Sequence, residues 1–582
     1  MLSRVITSVI FALLAGAAAV SAQNPTPSPT PTAVPQALDR QQVAPEQLQG
    51  VPAIAPGYSS EDRSLPDLGR VGVDMADQKS LTLREAIAMA LENNKDIEVT
   101  RKNVKIAEYD LQAARGYYEP RFAGQTYYEK STIPNISFFS PESDKIRSSS
   151  VVGNVGFQGY VPGMGSILNV SLNNEQVGTD NLVSIISPQY NADLTVSLTQ
   201  PIFRGRSFDQ PRRAIEIAKR NLSLTDTQFR QRSIDIIANV QRAYWDLTYA
   251  LRNLQVQRDG VKDAKDQLEH NRRLVNEGQL APIDIVAAET QVANFEQAVY
   301  DALNTVAVAE NALKNLISPD RNNSIWVESV TPVDPVDLDV PNTTLAEALE
   351  NALQNRPELE INQAQKDINA IDQRFYKEQK KPQIDLVASY TASGIGGSLN
   401  PNFANPFCRN NPDPNCAQSV QDLLRNVGGA GTAWSDIFTN QFPTFPLGVQ
   451  FNLPVFGDKT TDAQYGRSLV EGQRLETQRE QVEQNIQVDV RNALQVFRTS
   501  EARLRAAAIA RENSAKQYES EQRKLDAGQT DIYRVLERQT ALTVARSNEL
   551  RAQTELNKAI AELQRATGNS LKANNVVTML RK

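Results

Sequence analysis

The sequence predicts a mainly α-helical protein with membrane β-strands, built as two copies of one pattern of long helical hairpin and amphipathic strands. Three observations carry this expectation: an internal repeat, apolar residues seven positions apart, and strict alternation in the segments between the helices.

The repeat opens at Leu83-Arg84-Glu85-Ala86 and again at Leu345-Ala346-Glu347-Ala348, an offset of 262. In that register Ala90-Leu91 meets Ala352-Leu353, Asn93 meets Asn355, Glu98 meets Glu360 and Pro120 meets Pro382. Gln200-Pro201-Ile202-Phe203 then matches Leu453-Pro454-Val455-Phe456 at an offset of 253, and Gly278-Gln279 matches Gly528-Gln529 at 250. Anchors in the same order over so long a stretch argue against coincidence.

Each copy begins with a helix capped by Thr82 with Glu85, or Thr344 with Glu347, in capping-box spacing. It is expected to run as one helix to near Pro120 or Pro382, where proline ends it. A β region follows. Phe122, Gly124, Thr126 and Tyr128 share one face, as do Ile384, Leu386, Ala388 and Tyr390. Leu194, Val196 and Leu198 alternate with Thr195, Ser197 and Thr199; Leu447, Val449, Phe451, Leu453 and Val455 alternate with small or polar residues. Such strands have one apolar and one wet face, which suits a half-buried soluble sheet or a lipid-facing barrel equally. Residues 129–150 and 394–445 read as loops, and 151–176 as a hairpin either in the wall or outside it.

The helices that follow carry Val240, Leu247, Leu254, Val261, Leu268 and Val275, and in the second copy Val490, Phe497, Leu504, an interrupting Arg511, Tyr518 and Leu525. Beyond the glycines come Ile285, Val292, Val299, Val306 and Leu313, and Val535, Leu542, Leu556 and Leu563. A sustained sevenfold spacing is the mark of coiled-coil packing, and alanines beside it (Ala243, Ala250, Ala264, Ala302, Ala309) allow close approach. A helix of about 65 residues reaches roughly 100 Å. Gly278 and Gly528 mark the hairpin tips, where glycine takes positive φ cheaply.

A basic start, an apolar run from Val5 to Val20 and small residues before a cut after Ala22 read as a secretory signal, 1–22, with no cysteine after the cut for a lipid anchor. Residues 23–79 are Pro-rich and read as a linker. The net charge of −7 and lack of a clustered basic face argue against nucleic acid. Cys408 and Cys416 read as a local disulfide, since two thiols fall short of a zinc site. The lone His270 reads as a surface or packing residue. No phosphate loop, metal cluster or nucleophile–base pair is present, so neither an enzyme nor a cofactor is expected. A few strands leave open edges, which lipid does not tolerate, so a membrane wall needs strands from several chains.

The L-x-E-A opening, the Q-P-[IL]-F strand exit and a glycine at each hairpin tip resemble the TolC-type outer membrane efflux proteins (outer membrane factors) over residues 80–570. The resemblance implies a homotrimer sharing one 12-stranded outer-membrane β-barrel in lipid, continuous with an α-helical tunnel in the periplasm. It also implies a periplasmic adaptor (membrane fusion protein) at the tips, with Gly278, Gln279, Gly528 and Gln529 as contacts, and an inner-membrane pump or ABC exporter. The function implied is a passive exit duct for efflux or type I secretion. By position, Asp284 falls on the acidic member of the family's gate; Leu525 and Thr530 stand where tyrosine and arginine are typical, and Arg534 and Glu537 where the acidic ring lies. Asp284, Arg534 and Glu537 also fit solvated helix-face charges. Two repeats follow, 80–320 and 343–570, separated by a linker at 321–342 and followed by a tail at 571–582. The alternative is a periplasmic coiled-coil adaptor or structural protein.

Overall fold

The computed structural model describes residues 69–136, 144–336, 343–403, 427–454 and 457–577. The signal at 1–22 and the Pro-rich stretch as far as residue 68 lie outside the described residues. The first copy runs β1 (Asp74–Leu81), α1 (Leu83–Asn93), α2 (Lys95–Arg115), β2 (Arg121–Pro134), β3 (Lys145–Val161), β4 (Ser166–Thr179), β5 (Ile186–Pro201), α3 (Gln210–Asn276) and α4 (Ile283–Ile317). After β6 (Glu328–Pro332) come α5 (Leu345–Asn355), α6 (Pro357–Gln379), β7 (Gln383–Leu399), α7 (Ala430–Thr439), β8 (Phe442–Thr444) and β9 (Leu447–Asn452). The chain continues through α8 (Lys459–Asp526), α9 (Ile532–Ala566) and the single turn α10 (Ser570–Ala573).

Both capping boxes form, with Thr82 paired to Glu85 and Thr344 to Glu347. The opening helix, however, is two helices in each copy. Asn94 closes α1 in extended conformation and its side chain accepts the Asp96 N–H to start α2. In the second copy Pro357 begins α6, which forces Arg356 out of the helical region.

Duplication extends into the core. Val240, Leu247, Val306 and Leu313 are buried in the first copy, and Val490, Phe497, Leu556 and Leu563, each 250 positions on, in the second. Arg511, which interrupts the apolar series, sets Nε 2.8 Å from Glu549 Oε2 on α9, so an ion pair joins the two helices there. At each tip the turn is a Schellman motif: Gln279 N–H donates to Leu274 O and Gln529 N–H to Lys524 O, both at 2.8 Å. Gly278 and Gly528 hold φ at 75° and 68°, which a side chain would strain.

The linkers assigned to 23–79 and 321–342 contain structure. β1 and β6 pair in parallel beside the α3–α4 hairpin. The reason is a buried charge network that no periodicity announces. Arg70 Nη1 donates to Glu310 Oε2 at 2.7 Å, and Lys314 Nζ lies 3.2 Å from Glu310 Oε1. Lys314 also donates to the carbonyls of Trp326 and Glu328, while Glu310 Oε1 accepts the Val330 N–H at 2.9 Å. Burial pushes the Lys314 ammonium below its ordinary pKa, and Glu310 opposes that shift.

The sheet is ordered β2-β3-β4-β5-β7, with β8 and β9 both paired to β7. The expected loop at 129–150 is therefore strand over Glu129–Pro134 and Lys145–Ser150, and 394–445 contributes the end of β7, α7 and β8. Residues 151–176 lie within the sheet, between β2 and β5. A twelve-stranded trimer needs four strands from each chain; this chain presents six positions, because β8 and β9 continue one line and only Phe445 and Pro446 interrupt it.

Replacing Glu310 with Ala leaves Arg70 and Lys314 buried without a counter-charge, which costs about 3–5 kcal/mol. Chemical denaturation of the detergent-extracted protein, followed by circular dichroism, is expected to show that loss; a midpoint equal to wild type would remove the network from the protein's stability.

Candidate functional site

The register sorts the sheet into two unlike faces. One face carries rows such as Phe122, Phe157, Val170, Val196 and Tyr390, adjacent across five strands. The opposite face carries Gln125, Asn154, Asn173, Asp193 and Ser393 in one row. On it Thr195 and Thr391 place their hydroxyl oxygens 3.0 Å apart. Strands of 14 to 17 residues in β2 to β5 exceed the roughly 9–11 that cross a bilayer. Among the described residues no helix is long and apolar enough to cross a membrane.

β5 runs into α3 through a tight junction at 202–209. Arg212 organises it: Nη1 donates to Ser207 O at 2.6 Å and Gly163 O at 3.3 Å, and Nη2 to Arg206 O at 2.9 Å and Gly205 O at 3.3 Å. Asp209, the N-cap of α3, neutralises the guanidinium at 2.9 Å. The β3–β4 turn is thus tied to the start of the helix.

Below the junction the two copies meet along α3. Arg213 pairs with Asp372 of α6 at 2.7 Å and Arg220 with Asp367 at 3.4 Å. Farther down, α9 takes over. Lys558 Nζ sits 2.7 Å from Asp246 Oδ1, Ser547 Oγ donates to Asn253 Oδ1 at 2.8 Å, and Arg546 lies 3.7 Å from Asp263. Burial opposes the Lys558 charge, but its bonds to Asp246 and Glu555 outweigh that and raise its pKa. Burial likewise raises the pKa of Asp263, against the pull of Arg546. A Cβ added at Gly260 would meet Phe295 at 3.2 Å and Thr543 at 3.6 Å, which marks how closely the helices approach. Sequence reasoning missed this seam. Its signal was present: Asp246, Asn253, Gly260 and Gln267 stand seven apart, one place before the apolar series.

The tip gathers some expected residues and separates others. Asp284 Oδ2 accepts the Ala281 N–H at 3.0 Å and so holds its own turn. Thr530 Oγ1 donates to Glu521 Oε2 at 3.1 Å, within the second tip. Lys524 and Thr530 hold the Glu521 carboxyl below its usual range. Arg534 and Glu537 are exposed, and Arg534 reaches only Asp531, at 3.8 Å. Leu525 is buried with Ile532, Val535 and Leu536, and Ala287 of the first hairpin packs against that cluster. Across the tips Gln291 Nε2 donates to Thr540 Oγ1 at 2.7 Å, and His270 Nε2 lies 3.2 Å from Asp526 Oδ1 without hydrogen-bond geometry. Of the two readings of His270, surface or packing, the structure fits the second, with the half-buried ring against the other hairpin. Asn271 Nδ2 and both amide atoms of Gln539 are buried there without hydrogen-bond partners, which costs about 1–3 kcal/mol each. Gly278, Gln279, Gly528 and Gln529 are exposed at the turns. Cys408 and Cys416 lie outside the described residues.

A sequence model described as "Outer membrane efflux protein" matches residues 86–318 and again 348–569. No curated protein matches the chain. Among solved structures, a membrane protein from Pseudomonas aeruginosa is 17% identical with a TM-score of 0.58, over 88% of this chain and 97% of that one. The CmeC outer membrane channel of Campylobacter jejuni is 13% identical with a TM-score of 0.57, over 88% and 94%. The MtrE outer membrane channel of Neisseria gonorrhoeae, in its open state, is 17% identical with a TM-score of 0.56, over 88% and 94%. At these identities the likeness is one of fold.

Arg212→Ala leaves four carbonyls without their shared donor. Limited proteolysis is expected to cut the 162–165 turn about tenfold faster than in wild type. Equal rates would show that Arg212 does not hold the junction.

Proposed function

The chain belongs to the outer membrane efflux protein family, and from that premise we propose that it is the passive exit duct of a tripartite efflux or type I secretion system. It sits in the outer membrane with its helices in the periplasm. The observation that carries the reading is the two-faced sheet whose strands run directly into helices of 67 and 68 residues. The apolar face suits lipid and the polar face a water-filled lumen. Membership sets aside the adaptor alternative.

The duct is a homotrimer in this reading, and the duplication supports it. Within one chain α9 packs on α3 with Asp246 opposite Lys558. Adding 250 to Asp246 gives Val496 on α8, and subtracting it from Lys558 gives Val308 on α4; both are exposed, at 51% and 62%. An open groove of about 850 Å³ between α8 and α9, lined by Arg503, Ala507, Ala510, Val544 and Ala545, lies at the position equivalent to the seam. The next chain's α4 fills it, so that contacts between chains repeat those between copies.

The tip is the gate. His270–Asp526 and Gln291–Thr540 hold the hairpins together, while the unpartnered amides nearby keep the closed state shallow. Asp284, Arg534 and Glu537, repeated threefold, line the entrance with mixed charge and give weak ion selectivity. The exposed turns at Gly278-Gln279 and Gly528-Gln529 are the adaptor contacts, and an inner-membrane pump or ABC exporter supplies the driving force.

Oxidation of a Val308→Cys/Val496→Cys double variant is expected to give a covalent trimer on denaturing gels; monomer alone would refute the seam. In planar bilayers the purified protein is expected to conduct, with His270→Ala open more often and Arg534→Glu shifted towards cations. A folded, membrane-extracted sample without pores would overturn the channel reading, whereas unchanged gating in His270→Ala would remove only the latch.

A further inference from the structure

The six strand positions of the sheet have a consequence for the assembled wall. We propose that three chains close an eighteen-stranded barrel, with the β3–β4 hairpin as a permanent part of it; the proposal rests on the trimeric channel reading above. Six positions per chain in three copies give that number.

The hairpin is built into the wall along its length. β3 pairs with β2 from Arg121↔Gln158 to Pro134↔Lys145, and β4 pairs with β5 from Ile167↔Thr199 to Val177↔Gln189. Its turn is fixed at the helical end. Gln200 Nε2 donates to Met164 O at 3.1 Å, and Arg212 to Gly163 O. Gly165 lies so close to the junction that a Cβ there would stand 2.6 Å from Gly205 O. In the second copy β7 pairs directly with β8 and β9, which leaves no room for a matching hairpin between them. The additional strands therefore belong to the first copy alone.

The two free edges fit each other. Every residue of β9 and all but one of β2 are exposed, as edge strands without neighbours should be. Because the six strand positions alternate in direction, β2 and β9 run in opposite directions and pair antiparallel between chains. Phe122 and Phe451 lie on the same face of the sheet, so the apolar band continues across the joint. Barrel diameter grows roughly linearly with strand number, so this barrel is about 1.5-fold wider than one of twelve strands. The hairpin brings no helix with it, so the tunnel gains nothing in width. The barrel becomes a wide vestibule above an ordinary tunnel, and resistance to conduction lies in the helices.

The test is single-particle imaging of the full-length wild-type protein in lipid nanodiscs. The expected map has threefold symmetry and eighteen strands, with the 162–165 turn on the helical rim. Twelve strands with 151–176 outside the wall, or any other count, would overturn the proposal while leaving the channel reading in place. Failure of the channel reading looks different: no membrane-embedded barrel and no conductance. A second readout is polymer exclusion in planar bilayers. Polyethylene glycols added on the barrel side are expected to enter up to a radius about 1.5-fold larger than a twelve-stranded relative admits; the same cut-off in both would overturn the wider bore.

Discussion

In hydrocarbon a strand edge has no water to satisfy its N–H and C=O groups, so a sheet can live there only if its edges find each other. The sheet of this protein ends in β2 on one side and β8 and β9 on the other, and a single chain leaves both unpaired. Much of the design follows from that need. The alternation of Phe157 and Val170 against Asn154 and Asn173 gives the sheet one face suited to lipid and one suited to water. The edges require neighbouring copies, and the copies must then also fit along their helices.

The duplication meets that second requirement at low cost in information. A chain whose two halves already pack side by side, α3 against α6 and α9, carries the template for packing against the next chain. Charged and polar groups fill the internal seam, with Asp246–Lys558 and Asn253–Ser547; at the Asp246–Lys558 level the exposed equivalents, Val496 and Val308, are apolar. That difference suits their tasks. The internal seam joins segments that are always together, whereas in the proposed trimer the outer one forms between separate molecules, where burial of Val308 and Val496 would supply a favourable term of about 25 cal/mol per Å².

Stability is distributed unevenly along the hairpins. The end near β1 and β6 holds the largest buried cluster and the Arg70–Glu310–Lys314 network, which fixes the chain's first described segment to α4. The tip is held by a small cluster around Leu525, two polar cross-contacts and buried amides that lack partners. A hairpin that parts at its tip while its other end stays firmly packed is served by that gradient.

Spacing along the chain was enough to specify the repeated architecture, the hairpins, their tips and the two-faced strands, because sevenfold and twofold periods are local properties that burial simply follows. It also carried the family, through motifs such as Leu83-Arg84-Glu85-Ala86 and Gln200-Pro201-Ile202-Phe203. Which strand neighbours which was settled only in the folded chain. Residues 151–176 alternate in the same way whether they lie in the wall or outside it, and only their pairing with β2 and β5 distinguishes the two. Folding alone brought His270 to Asp526 and Arg70 to Glu310, pairs separated by more than two hundred residues and free of any periodicity. The same holds for Leu525, whose burial beneath the tip emerges only from the packing of Ile532, Val535 and Leu536 around it. Long-range contacts between single side chains leave no repeat in the sequence, and those contacts join the hairpins at the tip and fix β1 and β6 to α4, while backbone pairing decides which strands the sheet contains.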